Sequence, residues 1–234
     1  MPESASAAAA VIIAGGGPCG LMLANELGQR GIATLLFDDK PSTSPYPQAN
    51  ATQARTMEYY RRLGFAEAVR AQGLPPDYPT DVAYFTRYTG YELARYALPA
   101  SGRAREMVKT LSGSWSAAEL PHRCSQLYIE RVLHAEAERL PSVSLRYGWR
   151  VIGFEDDGKG VTVEAERVAG GGRVRVRGAY LVGCDGPRSF VRKTLGFAYQ
   201  GETASRDFLG GRMHAIYLRA PKLYELIRAP RAWS

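Results

Sequence analysis

The chain has 234 residues, 45% of them hydrophobic and 23% charged, with three cysteines and a net charge of +7. This is the balance of a globular protein of one or two domains with a sizeable core, and it excludes a disordered or fibrous chain. Its 30 Lys and Arg residues are spread along the sequence rather than gathered into a tail, which argues against nucleic acid and for attraction of cofactor phosphates or anionic substrates.

The N-terminal MPESASAAAA lacks the positive n-region of a secretory signal, and no stretch approaches the ~20 apolar residues that cross a bilayer. The sequence therefore predicts a cytoplasmic protein with no membrane partner. Cys19, Cys124 and Cys184 form no CxxC pair and read as reduced thiols, with Cys19 and Cys184 as small packing residues. His122, His134 and His214 lack metal-ligand spacing, so no metal site is predicted.

In chain order, the apolar run Ala8 to Ala14 suits a buried parallel strand, and Leu21, Met22, Leu23, Ala24 and Leu27 follow at helical spacing. Gly15, Gly17 and Gly20 stand at the junction as GxGxxG. The first permits a tight turn, the second lets backbone approach a pyrophosphate, and the third lets helix pack closely on strand. A helix N-terminus there offers free N–H groups and a positive dipole end to phosphate. Gly31 ends the helix, and Ile32 to Phe37 reads as the second strand of a βαβ unit. Asp38 follows that strand directly, eighteen positions beyond Gly20, close to the ~20 expected of a ribose-binding carboxylate. Asp39 reads as a solvated loop charge. Small residues after a strand occur in any turn, but strand, helix, second strand and terminal acid in this order predict dinucleotide binding.

Beyond the Pro- and Ser-rich loop Pro41 to Asn50, Ala51 to Leu63 is predicted as a helix ended by Gly64, with Arg55 in its first turns. Leu74 to Gly102 is rich in tyrosine, with the short alternating runs of antiparallel strands, and Tyr84, Tyr88 and Tyr91 fit a half-buried sheet better than a ligand pocket. Gly102 to Pro121 reads as an irregular loop. Ser125 to Leu140 is predicted helical, with Ser125 as N-cap and Pro141 as stop. Three β runs follow, Val143 to Phe154, Val161 to Val168 and Val174 to Val182, with DDGKG and AGGG between them in the pattern of a β-meander. Alternation of Arg173, Arg175 and Arg177 with valines predicts one solvent-facing side of the last strand. That strand delivers Gly183, Cys184, Asp185 and Gly186 at its end, where sheets of this kind bind ligands.

GGGPCG at Gly15 to Gly20, QARTMEYYRRLG at Gln53 to Gly64, SQLYIERVL at Ser125 to Leu133 and GCDGPRSFVRKTLG at Gly183 to Gly196 resemble the FAD-dependent aromatic-ring hydroxylases, the single-component flavoprotein monooxygenases of the para-hydroxybenzoate hydroxylase fold. The resemblance covers almost the whole chain in the family's order, with GCDG its most specific part. DDKP and PQANATQARTMEYYRRLG look closest to members acting on phenolic acids such as hydroxyphenylpropionate.

The resemblance implies an α/β fold: a Rossmann-like FAD-binding domain with a β-meander, plus part of an antiparallel-sheet substrate domain. Residues 1–74 and 121–196 would form the FAD-binding domain, 75–120 an excursion of the substrate domain with its loop, and 197–234 the start of that domain. Gly15, Gly17, Pro18 and Gly20 would approach the FAD pyrophosphate and Asp38 the adenosine ribose. Arg55 would contact the phosphates or ribityl chain, Gln126 would lie near the ribityl chain, Asp185 beside Gly186 would accept a ribityl hydroxyl, and Arg188 belongs to the stretch linked to NAD(P)H use. The implied reaction takes hydride from NAD(P)H and transfers one oxygen of O2 to a small aromatic substrate; no residue identifies itself as the catalytic base, and Tyr side chains, His122 and His214 stay open. Family members run well beyond this length and carry a third motif, Gly-Asp before a helix, which does not occur before Ser234. The expectation is a chain lacking the C-terminal part, with self-association through the face so left. Readings as a non-catalytic FAD-binding remnant or half-protein, or as an NAD(P)-binding reductase, remain open at this point.

Overall fold

Two short strands, apolar on both faces, set the architecture. In the computed structural model, which describes residues 9–46, 48–113, 116–201, 216–227 and 229–232, β1 (Ala9–Ala14) leads through the glycine turn into α1 (Pro18–Gly28) and returns as β2 (Thr34–Asp38). β3 (Ala51–Thr52), α2 (Ala54–Arg62) and α3 (Ala66–Arg70) follow, then the hairpin of β4 (Val82–Phe85) and β5 (Glu92–Tyr96), the short α4 (Ala104–Val108), and β6 (His122–Arg123). α5 (Gln126–Glu138) leads to β7 (Val143–Tyr147), β8 (Trp149–Asp156), β9 (Val161–Arg167) and β10 (Arg173–Gly183), and the one-turn helices α6 (Phe190–Thr194) and α7 (Leu223–Leu226) complete the elements.

The main sheet has the order β7-β2-β1-β10-β9-β8. β1 lies parallel to both β2 and β10, β2 lies parallel to β7, and β10, β9 and β8 form an antiparallel meander. The parallel strands are covered on both sides. Val11, Ile13 and Leu36 pack with Leu21 and Ala24 of α1, Leu133 and Ala137 of α5, and Met57 and Tyr60 of α2. Ile12, Leu35 and Phe37 point to the other face and pack with Val161, Val163, Ala165 and Val176 of the meander. β8 touches β2 although three strands separate them in the sheet, so the antiparallel half folds over the face the helices leave open. A one-residue slip would exchange the two sets, so double burial fixes the register.

Close approach of α1 to the sheet depends on its glycines. A Cβ on Gly20 would stand 1.9 Å from the Gly15 carbonyl oxygen, and one on Gly28 would stand 2.4 Å from a Val143 methyl. Asn25, fully buried between α1 and α5, donates through Nδ2 to the carbonyls of Leu21 and Leu133, both at 2.9 Å.

The predicted βαβ unit, α5 and the meander are observed, and four details differ. The run Val143 to Phe154 is two strands, because Gly148 takes a positive φ of 75° and donates its N–H to the Lys40 carbonyl at 2.7 Å, which leaves β7 to extend the parallel edge. The helix read from Ala51 begins at Ala54, since Ala51 and Thr52 pair instead with Arg123 and His122. Gly102 to Pro121 contains α4 rather than irregular chain alone. β4 and β5 do pair, yet Tyr84, Tyr88 and Tyr91 are exposed and not half-buried. Of residues 197–234, expected to start the substrate domain, 202–215 lie outside the described residues, and 216–227 contain α7. Arg173, Arg175 and Arg177 face solvent as expected, paired with Glu164 and Glu166 of β9, Glu155 of β8 and Asp157 in the turn between those strands.

Replacing Gly20 by Ala forces rigid backbone apart and is expected to cost about 3 kcal/mol. In thermal unfolding this corresponds to a Tm lower by roughly 6–12 °C.

Candidate functional site

The carboxyl ends of β1 and β10 bring the two glycine segments into contact. Gly15 has φ 110°, and a Cβ there would lie 2.3 Å from the Cys184 carbonyl oxygen and 2.7 Å from the Asp185 nitrogen, so glycine is required both for conformation and for space. The ladder holds the junction, with Gly15 N–H donating to Phe37 and Cys184 N–H to Ala14, both at 2.7 Å.

The next two residues are held differently. Gly16 donates its N–H to Asp38 Oδ2 at 2.6 Å, and its carbonyl accepts from the Tyr147 hydroxyl at 2.8 Å. Gly17 occupies the N-cap of α1 with φ −76° and ψ −172°, which any residue adopts, and a Cβ built there meets nothing within 4 Å. No side chain caps this helix, and Pro18 stands in its first turn. Gly17 is thus a glycine that the fold itself does not demand, at an uncapped helix N-terminus whose dipole favours an anion.

Asp38 is 7% exposed at the end of β2. Its Oδ1 accepts from the Lys40 N–H at 2.9 Å, and with Oδ2 taking Gly16 each oxygen keeps a lone pair for another donor. Asp39 is the exposed member of the pair, as expected. Asp185 braces the opposite side. Its Oδ1 accepts from Ser189 Oγ at 2.5 Å, while Oδ2 accepts the N–H groups of Phe190 and Val191 at 2.6 and 3.2 Å, capping α6. Gly186 follows with φ 78°, and Ser189 Oγ in turn accepts from the Arg192 N–H at 2.9 Å.

Arg55 and Gln126 belong to a neighbouring cluster. The β3–β6 ribbon sets the start of α2 beside the start of α5, where Gln126 N–H donates to Ala49 and its Nε2 to Glu130 Oε1, both at 2.7 Å. Glu130, 3% exposed, also accepts from the Ser44 N–H at 3.0 Å and so ties the loop after β2 to α5. Ser125 takes the N-cap position of α5 as predicted, but its hydroxyl makes no capping bond. Arg55 is 78% exposed and pairs with Glu58 at 3.1 Å, and Arg188 is exposed in the turn after Gly186. Among the described residues, no hydrogen bond or ion pair joins Arg55, Gln126 or Arg188 to the glycine loop. Gly15, Gly17, Pro18, Gly20, Asp38, Asp185 and Gly186 do converge on one place.

Tyr147 is the site residue that sequence reading missed. Its signal was the Tyr147-Gly148 break, since a strand ending there in register with Asp38 must reach the loop. Cys184 packs against the core as read, and burial pushes its thiol up to about 11, whereas Cys19 is exposed because the second helical position turns outward. Among the described residues no group of His, Cys, Asp and Glu could hold a metal ion, and no helix is long and apolar enough to cross a membrane. His214 lies outside the described residues. His122 is 2% exposed and cannot reach a substrate as a base.

Residues 8–228 match the family described as FAD binding domain. This chain belongs to that family. It is 30% identical to the FAD-dependent monooxygenase apdD of Emericella nidulans over 86% of this chain and 32% of that protein. The 3-(3-hydroxy-phenyl)propionate/3-hydroxycinnamic acid hydroxylase of Paraburkholderia xenovorans is also 30% identical, over 95% of this chain and 32% of its own length. In three dimensions the chain superposes on RebC soaked with K252c at a TM-score of 0.78 and 27% identity, over 98% of this chain and 42% of RebC. The flavin-dependent monooxygenase PieE in complex with FAD and substrate gives 0.73 and 30% identity, over 86% and 34%. The chain spans about a third of the length of the curated relatives it matches. The expected FAD-binding α/β fold of the flavoprotein monooxygenases is therefore the observed one.

The His122 ring nitrogens make no well-aligned hydrogen bond, and burial, reinforced by the Arg70 charge, lowers its pKa from 6.5 to about 4. Because the depressed group binds fewer protons folded than unfolded, its stabilising effect is present above pH 6.5 and is lost as pH falls toward 4, by about 3 kcal/mol. Thermal unfolding across this range is expected to show a falling Tm, and His122→Phe a flatter profile.

Proposed function

We propose that this chain binds FAD at the junction of the two glycine segments and serves a monooxygenase that hydroxylates a small phenolic substrate with NAD(P)H and O2. The observation that carries the reading is Gly17: its Cβ position is empty space at the uncapped N-terminus of α1, as a backbone that must admit a pyrophosphate requires. Gly15 and Gly20 place that opening, while Asp38 has lone-pair capacity for a ribose hydroxyl and Asp185 for a ribityl hydroxyl. Arg55, Gln126 and Arg188 are assigned by resemblance to the phosphate, ribityl and nicotinamide sides. When bound, FAD supplies the redox and oxygen chemistry, and the protein orients it and excludes water.

The phenolic substrate follows from the hydroxyphenylpropionate and hydroxycinnamate hydroxylase similarity. NAD(P)H, a cytoplasmic location and self-association through exposed apolar residues such as Phe197, Tyr217 and Tyr224 belong to the same proposal.

The test is titration of the purified chain with FAD followed by flavin fluorescence. Wild-type protein is expected to bind saturably. Gly17→Ala is expected to weaken binding roughly ten- to hundredfold by crowding the ligand, with the Tm of the ligand-free protein unchanged. No FAD binding by wild type would sink the reading, and nicotinamide binding in its place would favour the reductase.

A further inference from the structure

We infer that Tyr147 is a positioning residue of the nucleotide site: its hydroxyl locks the Gly16–Gly17 peptide so that the Gly17 N–H, not a carbonyl, faces the bound pyrophosphate. The inference rests on the dinucleotide reading above. The peptide is trans, so its C=O and N–H point in opposite directions. Tyr147 holds the Gly16 carbonyl at 2.8 Å toward the end of β7, which directs the Gly17 N–H away from that sheet edge, and the N–H has no acceptor among the described residues. Flanked by two residues without Cβ, this peptide would otherwise turn over at little cost, and the flipped form would present a carbonyl oxygen to phosphate.

Its neighbour is held too. In the Gly15–Gly16 peptide, Asp38 takes the N–H while the Gly15 carbonyl lies against Gly20. Two successive peptides are thus oriented by side chains at the ends of β2 and β7, which are themselves register partners, Asp38 opposite Tyr147. The fit is close enough that a Cβ on Gly16 would meet the Tyr147 hydroxyl at 2.8 Å and the Asp38 Cβ at 3.0 Å. The ring is fixed as well, resting on His134 at 5.2 Å between centroids. The middle residue of GGG is therefore glycine for the sake of Tyr147 and Asp38, while Gly17 is left for the ligand.

Tyr147→Phe keeps the ring and removes the donor. Calorimetric titration of the full chain with ADP and with FAD is expected to show roughly three- to tenfold weaker binding for the variant. The decisive readout is the Gly17 amide in [15N]glycine-labelled protein. In wild type its proton is expected to move downfield when ADP is added, and in Tyr147→Phe that shift should shrink with the affinity. Equal affinities, or weaker binding with the Gly17 shift intact, would overturn the inference while leaving the dinucleotide site standing. No binding of ADP or FAD by wild type would overturn both. Should the variant fail to fold, the wild-type spectrum decides alone: a Gly17 amide that ADP leaves unmoved refutes the orientation.

Discussion

The structure turns on one backbone contact, the pressing of Gly15 against the Cys184–Asp185 peptide at the ends of two neighbouring parallel strands. No side chain fits between them. That closeness lets the chain leave β1 and enter α1 directly over the end of β10, and it makes two distant segments the walls of one opening. A substitution at either wall would move both, because rigid backbone lies on each side of the contact.

Polar groups around this junction are spent on holding the main chain. Asp38 and Tyr147 orient the glycine loop, Asp185 and Ser189 cap α6, Glu130 anchors the loop after β2, and Asn25 joins α1 to α5. Such bonds add little net stability each but are costly to leave half made, so together they select one loop conformation. A preorganised loop has less ordering to do when a ligand arrives. His122 is the counterexample, a buried ring without a well-aligned partner, and its depressed pKa is the consequence.

The apolar residues follow the same division. Inside the double-faced sheet they are enclosed, yet the β4–β5 hairpin and the segments around Phe197 and Tyr217 carry large exposed aromatic side chains. A two-stranded hairpin is a marginal structure on its own.

Much was legible in the residues themselves. Val11 to Ile13 suited a buried strand, Gly15 to Gly20 fitted a strand-to-helix turn, and the acid at position 38 followed at the right distance, because these are local matters of periodicity, glycine conformation and spacing. The sequence by itself determined the βαβ unit, the meander and both glycine motifs, and hence a dinucleotide-binding fold. Only the tertiary structure decided that β7 joins the parallel edge and so delivers Tyr147 to Gly16, that Asp185 caps α6, and that a Cβ is crowded at Gly16 but free at Gly17. Those facts depend on which strand lies beside which, and strand pairing is set by burial on two faces at once, a non-local condition that no window of sequence contains.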